Sequence, residues 1–122
     1  MRLLVTGSRD WGDSELIRRE LYTVAAETTA SRPVLIHGAN GVRPDGSYVQ
    51  DPSVEADALA DRWWRSWGFP VETYRAEWWK YGRGAGMIRN SKMVAEGNAS
   101  LCLAFIRGRS RGATNCAALA EA

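Results

Sequence analysis

At 122 residues the chain has enough material for one domain around one hydrophobic core and little room for a second. Its apolar share of 45% and charged share of 25% are those of an ordinary globular protein, and a formal charge of +2 is too small to argue for wholesale nucleic-acid binding. The apolar run Leu3–Val5 is too short for a signal peptide and nothing approaches transmembrane length, so a cytoplasmic protein without membrane contact is expected.

Strand-like and helix-like segments alternate along the chain. Arg2–Thr6 is a short β-rich run ended by Gly7 and reads as a buried first strand. Asp13 or Ser14 can cap a helix carrying Leu16, Ile17, Leu21, Val24 and Ala25 on one face, and Arg32–Pro33 breaks the chain before a second strand, Val34–His37, closed by Gly38. Asn40–Pro52, rich in Gly, Pro, Asp and Asn, is a long loop that suits either a functional lid or an ordered excursion. Asp51 or Ser53 opens a helix with Ala56, Leu59, Ala60, Trp63 and Trp64 on its apolar side, stopped by Gly68 and Pro70. A third strand spans Val71–Tyr74, and Ala76–Gly86 reads as an aromatic, glycine-rich connection to a helix from about Met87 to Glu96. Gly97–Asn98 ends that helix, Leu101–Phe105 is an apolar fourth strand, and after an Arg/Gly/Ser loop Ala113–Ala122 is helical.

This order predicts a single Rossmann-like α/β domain over 1–122, three layers deep, with a mainly parallel sheet of four or more strands. Because the chain ends in a helix, one sheet edge is expected to stay bare, and a homodimer or higher homo-oligomer is the expected way to cover it. Cys102 and Cys116 are isolated, in a strand and a helix read as buried, which fits a reducing compartment. His37 is the lone histidine, so no cluster has metal-ligand spacing and no metal is expected.

In open parallel sheets ligands bind beyond the carboxyl ends of the strands, where helix N-termini favour anions. Gly7, Ser8 and Arg9 follow the first strand, His37 and Gly38 close the second, and Gly108, Arg109, Ser110, Arg111 and Gly112 follow the fourth and lead into a helix. A Gly/Ser/Arg loop at a helix N-terminus is a phosphate cradle, whereas the lone His37 fits a hydrogen-bonded structural residue better than a catalyst. Gly82–Gly86 does not make a dinucleotide fingerprint, because the third glycine would fall on Met87 and the run follows the third strand. Trp63, Trp64 and Trp67 share one helix at spacings that set Trp67 beside both others, and most tryptophans suit core or interface.

Five segments in order, LLVTGSRDW, HGA, ADALADRW, AGMIRNSKM and LAF-x-x-G-x-SRG, resemble the YspA/YpsA-related SLOG family. That Rossmann-like branch also holds the LOG phosphoribohydrolases and the DprA nucleic-acid-binding domain, and its small members occur in actinobacteria and their phages. The resemblance implies a site for a small nucleotide or nucleotide derivative such as NAD or ADP-ribose, with no tightly bound cofactor, and the host cytoplasm as location if phage-encoded. Gly7, Ser8 and Arg9 match the family's GSR turn, Gly38 the residue after its histidine, and Asp57 the acid of its G-A-D motif. Arg89, Asn90 and Met93 match its R-N-x-x-M helix, and Gly108, Ser110, Arg111 and Gly112 its phosphate loop, with Thr114 close to the loop's usual threonine. Glu55 stands where the family has glycine, and Cys116 falls where the LOG enzymes carry a glutamate. Glycosidic cleavage needs a carboxylate beside an oxocarbenium-like centre, so a binding protein or sensor is the leading expectation. A LOG-like hydrolase, with Asp57, Arg89 or His37 as catalytic candidates, and a DprA-like single-strand nucleic-acid binder are the alternatives.

Overall fold

The chain's structure, a computed structural model, describes residues 1–7, 11, 13–27, 32–49, 55–106 and 111–121, the first three of the last run by backbone alone. Alternation along the first strand sends side chains to opposite faces of a sheet, and both faces are covered. The strands β1 (Arg2–Gly7), β2 (Val34–His37), β3 (Val71–Thr73) and β4 (Leu101–Phe105) form one all-parallel sheet in the order β3-β2-β1-β4. On one face Leu3, Val5 and Leu35 pack against Ile17 and Leu21 of α1 (Ser14–Glu27) and Leu59 and Trp64 of α2 (Ala56–Ser66). On the other face Leu4 and Ile36 meet Met93 of α4 (Ala85–Gly97) and Cys116 of α5 (Arg111–Glu121). The short α3 (Trp78–Tyr81) lies between β3 and α4. The result is the three-layer α/β arrangement read from the sequence, and each fully buried aliphatic side chain contributes about 1.5–3 kcal/mol to it.

Local signals explain most boundaries. Asp13 Oδ1 accepts from the backbone N–H of Leu16 at 3.1 Å and starts α1, and Asn98 stops α4 in the left-handed region at φ 52°. The tryptophan spacing holds as well, since Trp67 lies 6.4 Å from Trp63 and 6.2 Å from Trp64 between ring centroids.

Three expectations need correction. The Ala76–Gly86 connection is helical from Trp78 onward, through α3, a 3-10 turn at Gly82–Gly84 and the first two residues of α4, so tertiary packing overrides its glycines. The last helix begins at Arg111, which takes Arg111 and Gly112 out of the loop and into its first turn. β4 is an edge strand, its Leu101 is 39% exposed and Cys102 is half-buried, because only β1 pairs with it among the described residues. A four-to-five-residue apolar run does not say whether it is central or at an edge.

The Asn40–Pro52 segment is an ordered excursion as far as it is described. Val42 and Tyr48 form an antiparallel bridge around a turn in which the Gly46 N–H donates to the Arg43 carbonyl at 2.9 Å. Val42 is buried, and its carbonyl accepts from Arg75 Nη1 at 2.6 Å. Among the described residues no helix is long and apolar enough to cross a membrane.

Candidate functional site

The chain runs from β1 through β2 to β3 in one direction along the sheet and then crosses back to set β4 on the other side of β1. Strand order therefore reverses between β1 and β4, the position at which open α/β sheets form a ligand crevice. Gly7 and Phe105 are register partners at the carboxyl ends of these two strands. A Cβ on Gly7 would lie 2.3 Å from the Cβ of Ala56 and 3.0 Å from the Phe105 carbonyl, so glycine is what lets the N-terminus of α2 close on the strand ends.

Asp57, the second residue of α2, is 3% exposed. Its Oδ2 accepts from the Asn40 backbone N–H at 3.3 Å, while its Oδ1 has no hydrogen-bond partner among the described residues. Burial pushes the Asp57 carboxyl upward, against the pull of the nearby Arg89 guanidinium and the backbone donors. Arg89 and Asn90, on α4, are buried as well. Arg89 Nη1 donates to the Gly38 carbonyl and its Nε to Asn90 Oδ1 at 2.8 Å, and Asn90 Nδ2 donates to Asn115 Oδ1 on α5 at 3.2 Å. Gly38 admits this guanidinium, since a Cβ there would stand 2.5 Å from Arg89 Nη1. Asp57 and Arg89 come from helices on opposite faces of the sheet and together hold the Gly38–Asn40 backbone.

His37 is wholly buried, and both ring nitrogens have protein partners. The Ala39 N–H donates to Nδ1 at 2.9 Å, so the proton sits on Nε2, which donates to Asp61 Oδ2 at 2.7 Å. Ala39 adopts φ 65°, which turns its N–H back onto the ring. Asp61 Oδ1 accepts from the Tyr48 hydroxyl at 2.5 Å and from Arg65 Nε at 2.9 Å. Burial opposes ionisation of Asp61, but the donors from His37, Tyr48 and Arg65 outweigh it and hold the carboxyl below its usual range. This geometry makes His37 a structural anchor for the turn after β2 and leaves no ring nitrogen for proton transfer.

Cys116, at the position of the LOG glutamate, is fully buried against Leu4, Ile36 and Met93, and burial raises its thiol pKa. Glu55, which replaces the family glycine, lays its carboxylate on Gly41, whose φ is 81°, so that departure is coupled to the longer loop. Thr114 is exposed on the first turn of α5. Ser8, Arg9, Gly108, Arg109 and Ser110, and the side chains of Arg111 and Gly112, lie outside the described residues.

The structure thus brings Gly7, Gly38, Asp57, Arg89 and Asn90 to the carboxyl end of the sheet, with the Cys116 thiol buried close enough to feel the charges of Asp57 and Arg89. Sequence reasoning missed Asp61, Tyr48 and Asn115. An aspartate four residues after Asp57, on the apolar face of ADALADRW, was the available signal for Asp61. Tyr48 and Asn115 sit in segments without periodicity or motif that would mark them.

No family model and no solved structure matches the chain. It is similar to the Gene 61 protein of Mycobacterium phage D29, at 40% identity over 123 residues that cover 94% of this chain and 84% of that protein. At that identity and coverage, the chain belongs to the family of the phage D29 Gene 61 protein.

Proposed function

We propose that the chain is a SLOG-type binding protein or sensor that takes a nucleotide-derived, phosphate-bearing ligand, of the NAD or ADP-ribose class, in the crevice between the ends of β1 and β4. The observation that carries this reading is Asp57, a buried carboxylate at the N-terminus of α2 whose Oδ1 has no partner among the described residues. Buried polar atoms are nearly always hydrogen-bonded, so a buried acceptor at the carboxyl end of the sheet with no protein donor among the described residues suits a ligand hydroxyl such as that of a ribose. Arg89, Asn90 and Asn115 supply a fixed polar wall behind it. Arg9 and Arg111, from the motifs that resemble the family's phosphate-contacting turns, provide the charge for the phosphates.

The buried thiol of Cys116 supports binding over glycosidic hydrolysis, since a thiol packed among Leu4, Ile36 and Met93 cannot replace a carboxylate. The β4 edge, which pairs only with β1 among the described residues, is the place for a second copy, and a homodimer is the assembly we expect.

Thermal unfolding against NAD, ADP-ribose, cyclic ADP-ribose, AMP and inorganic phosphate tests the reading. Ligand at about a hundred times its dissociation constant adds roughly 2.7 kcal/mol, a clear shift for a domain of this size. The expected result is a selective shift lost in Asp57→Asn and Arg111→Ala. Equal curves with every nucleotide would refute it.

A further inference from the structure

The positive charge of this chain is concentrated in one stretch from which the crevice takes Arg89 alone among the cations. Residues 75–92 hold five cations, Arg75, Lys80, Arg83, Arg89 and Lys92, against the single acid Glu77, a net of +4, so the rest of the chain carries −2. Both lysines of the protein are among them. Arg75, Lys80, Arg89 and Lys92 line one groove of about 180 Å³, with Tyr81 and Glu77 at its wall.

Large apolar side chains gather at the same place. Trp79 is 84% exposed and Trp78 49%, and Ile88 and Met87 on the first turn of α4 are exposed too. Gly86 lies directly under the Trp78 indole, where a Cβ would come within 3.4 Å of its ring. The other described tryptophans pack into or against the core beneath α1 and α2, so only α3 offers its indoles to solvent. An indole as exposed as that of Trp79 has a face available for a partner to stack on.

We propose that α3 and the first half of α4 form a docking surface for a single-stranded polynucleotide, with Trp79 stacking on a base and Lys80, Arg83 and Lys92 pairing with successive phosphates. Exposed aromatic faces interleaved with cations along a groove are what unpaired strands require, because every base has a face to stack and every linkage a charge. A duplex offers no free base face, and an apolar protein partner gives no reason for the +4 charge. Trp79, Lys80, Arg83 and Lys92, the residues assigned to the strand, take no part in the Asp57 crevice, so the two proposals can fail separately.

Fluorescence anisotropy of a labelled oligodeoxythymidylate of about 20 nucleotides, titrated with the full chain at low salt, tests this. The parent is expected to bind, and more tightly than to a duplex of equal length. Trp79→Ala should weaken binding at least about fivefold. The Lys80→Gln/Lys92→Gln double variant should reduce the slope of log affinity against log salt by about 1.4. All three side chains are exposed, so the variants should keep the parent's unfolding midpoint and nucleotide-induced shifts. Absence of binding, equal binding by the variants, or equal affinity for the duplex would overturn the proposal. So would a Trp79→Ala change that dissolves a self-associated species without altering oligonucleotide affinity, which would assign the patch to a second copy.

Discussion

Removing the Asp61 carboxylate should cost the protein more than any other single polar change at this end of the sheet. Its side chain and that of His37 are both fully buried, and it accepts from three donors on three separate segments, His37, Tyr48 and Arg65. In Asp61→Ala the buried His37 Nε2–H loses its acceptor, a penalty of about 1–3 kcal/mol, and the Tyr48 hydroxyl loses a charge-assisted bond. The exposed Arg65 simply turns to solvent, while the relief of no longer burying a carboxylate offsets part of the loss. The orphaned His37 donor and the lost Tyr48 bond, less that relief, leave a cost of about 3 kcal/mol. For a domain of this length that lowers the melting midpoint by roughly 10–15 °C. Asp61→Asn keeps an acceptor toward His37 and should cost only about 1 kcal/mol. Urea unfolding followed by circular dichroism measures both. A loss below about 1 kcal/mol in Asp61→Ala, or an equal loss in both variants, would show that the network is not what holds the turn after β2.

The sign of the pH dependence follows from the same carboxyls. Because Asp61 is held below its unfolded value, its contribution is present above the ordinary carboxylate range and is lost as pH falls through the lowered value, so Asp61→Asn should flatten the acid limb of a stability curve. Asp57 is raised, so it acts oppositely: stability falls as pH rises from the ordinary carboxylate range through the raised value. Asp57→Asn should therefore be at least as stable as the parent near neutral pH while losing any nucleotide-induced shift, and a large drop in its unfolding midpoint would contradict this. Gly7→Ala drives a methyl into Ala56 and the Phe105 carbonyl and should destabilise by about 1–3 kcal/mol in the same denaturation assay. Burial raises the thiol pKa of Cys116, and that of Cys102 to about 11, so a thiol reagent near pH 8 should label both slowly in the native protein and quickly in urea. Rapid native labelling of Cys116 would place it nearer solvent than the core packing allows.

The alternation of apolar runs with turn residues was enough to place all four strands within a residue, because each run is short and bounded on at least one side by Gly, Asn or Pro: Gly7 after β1, Gly38 after β2, Pro70 before β3 and Asn98 before β4. It was not enough to place β4 at the edge, since exposure depends on which strands pair and not on the run itself. Trp78–Gly84 resisted for a different reason: two glycines and a cluster of aromatics have no local reason to be helical, and contacts with α4 supply it. At the candidate site Gly7, Gly38, Asp57, Arg89 and Asn90 were legible from strand ends and motif resemblance. Asp61 was not, because a carboxylate in a helix reads as solvent-facing until its partners from β2 and the loop are brought against it.

The open side of β4 also restricts how copies of this sheet can join. All four strands run the same way, so a two-fold axis at that edge would set β4 antiparallel to its mate and close the contact after one partner. A parallel addition has no such closure. It would present a further β3 or β4 edge each time and grow into a filament, and the short reach of β4, only Leu101–Phe105, limits the ladder available to start one.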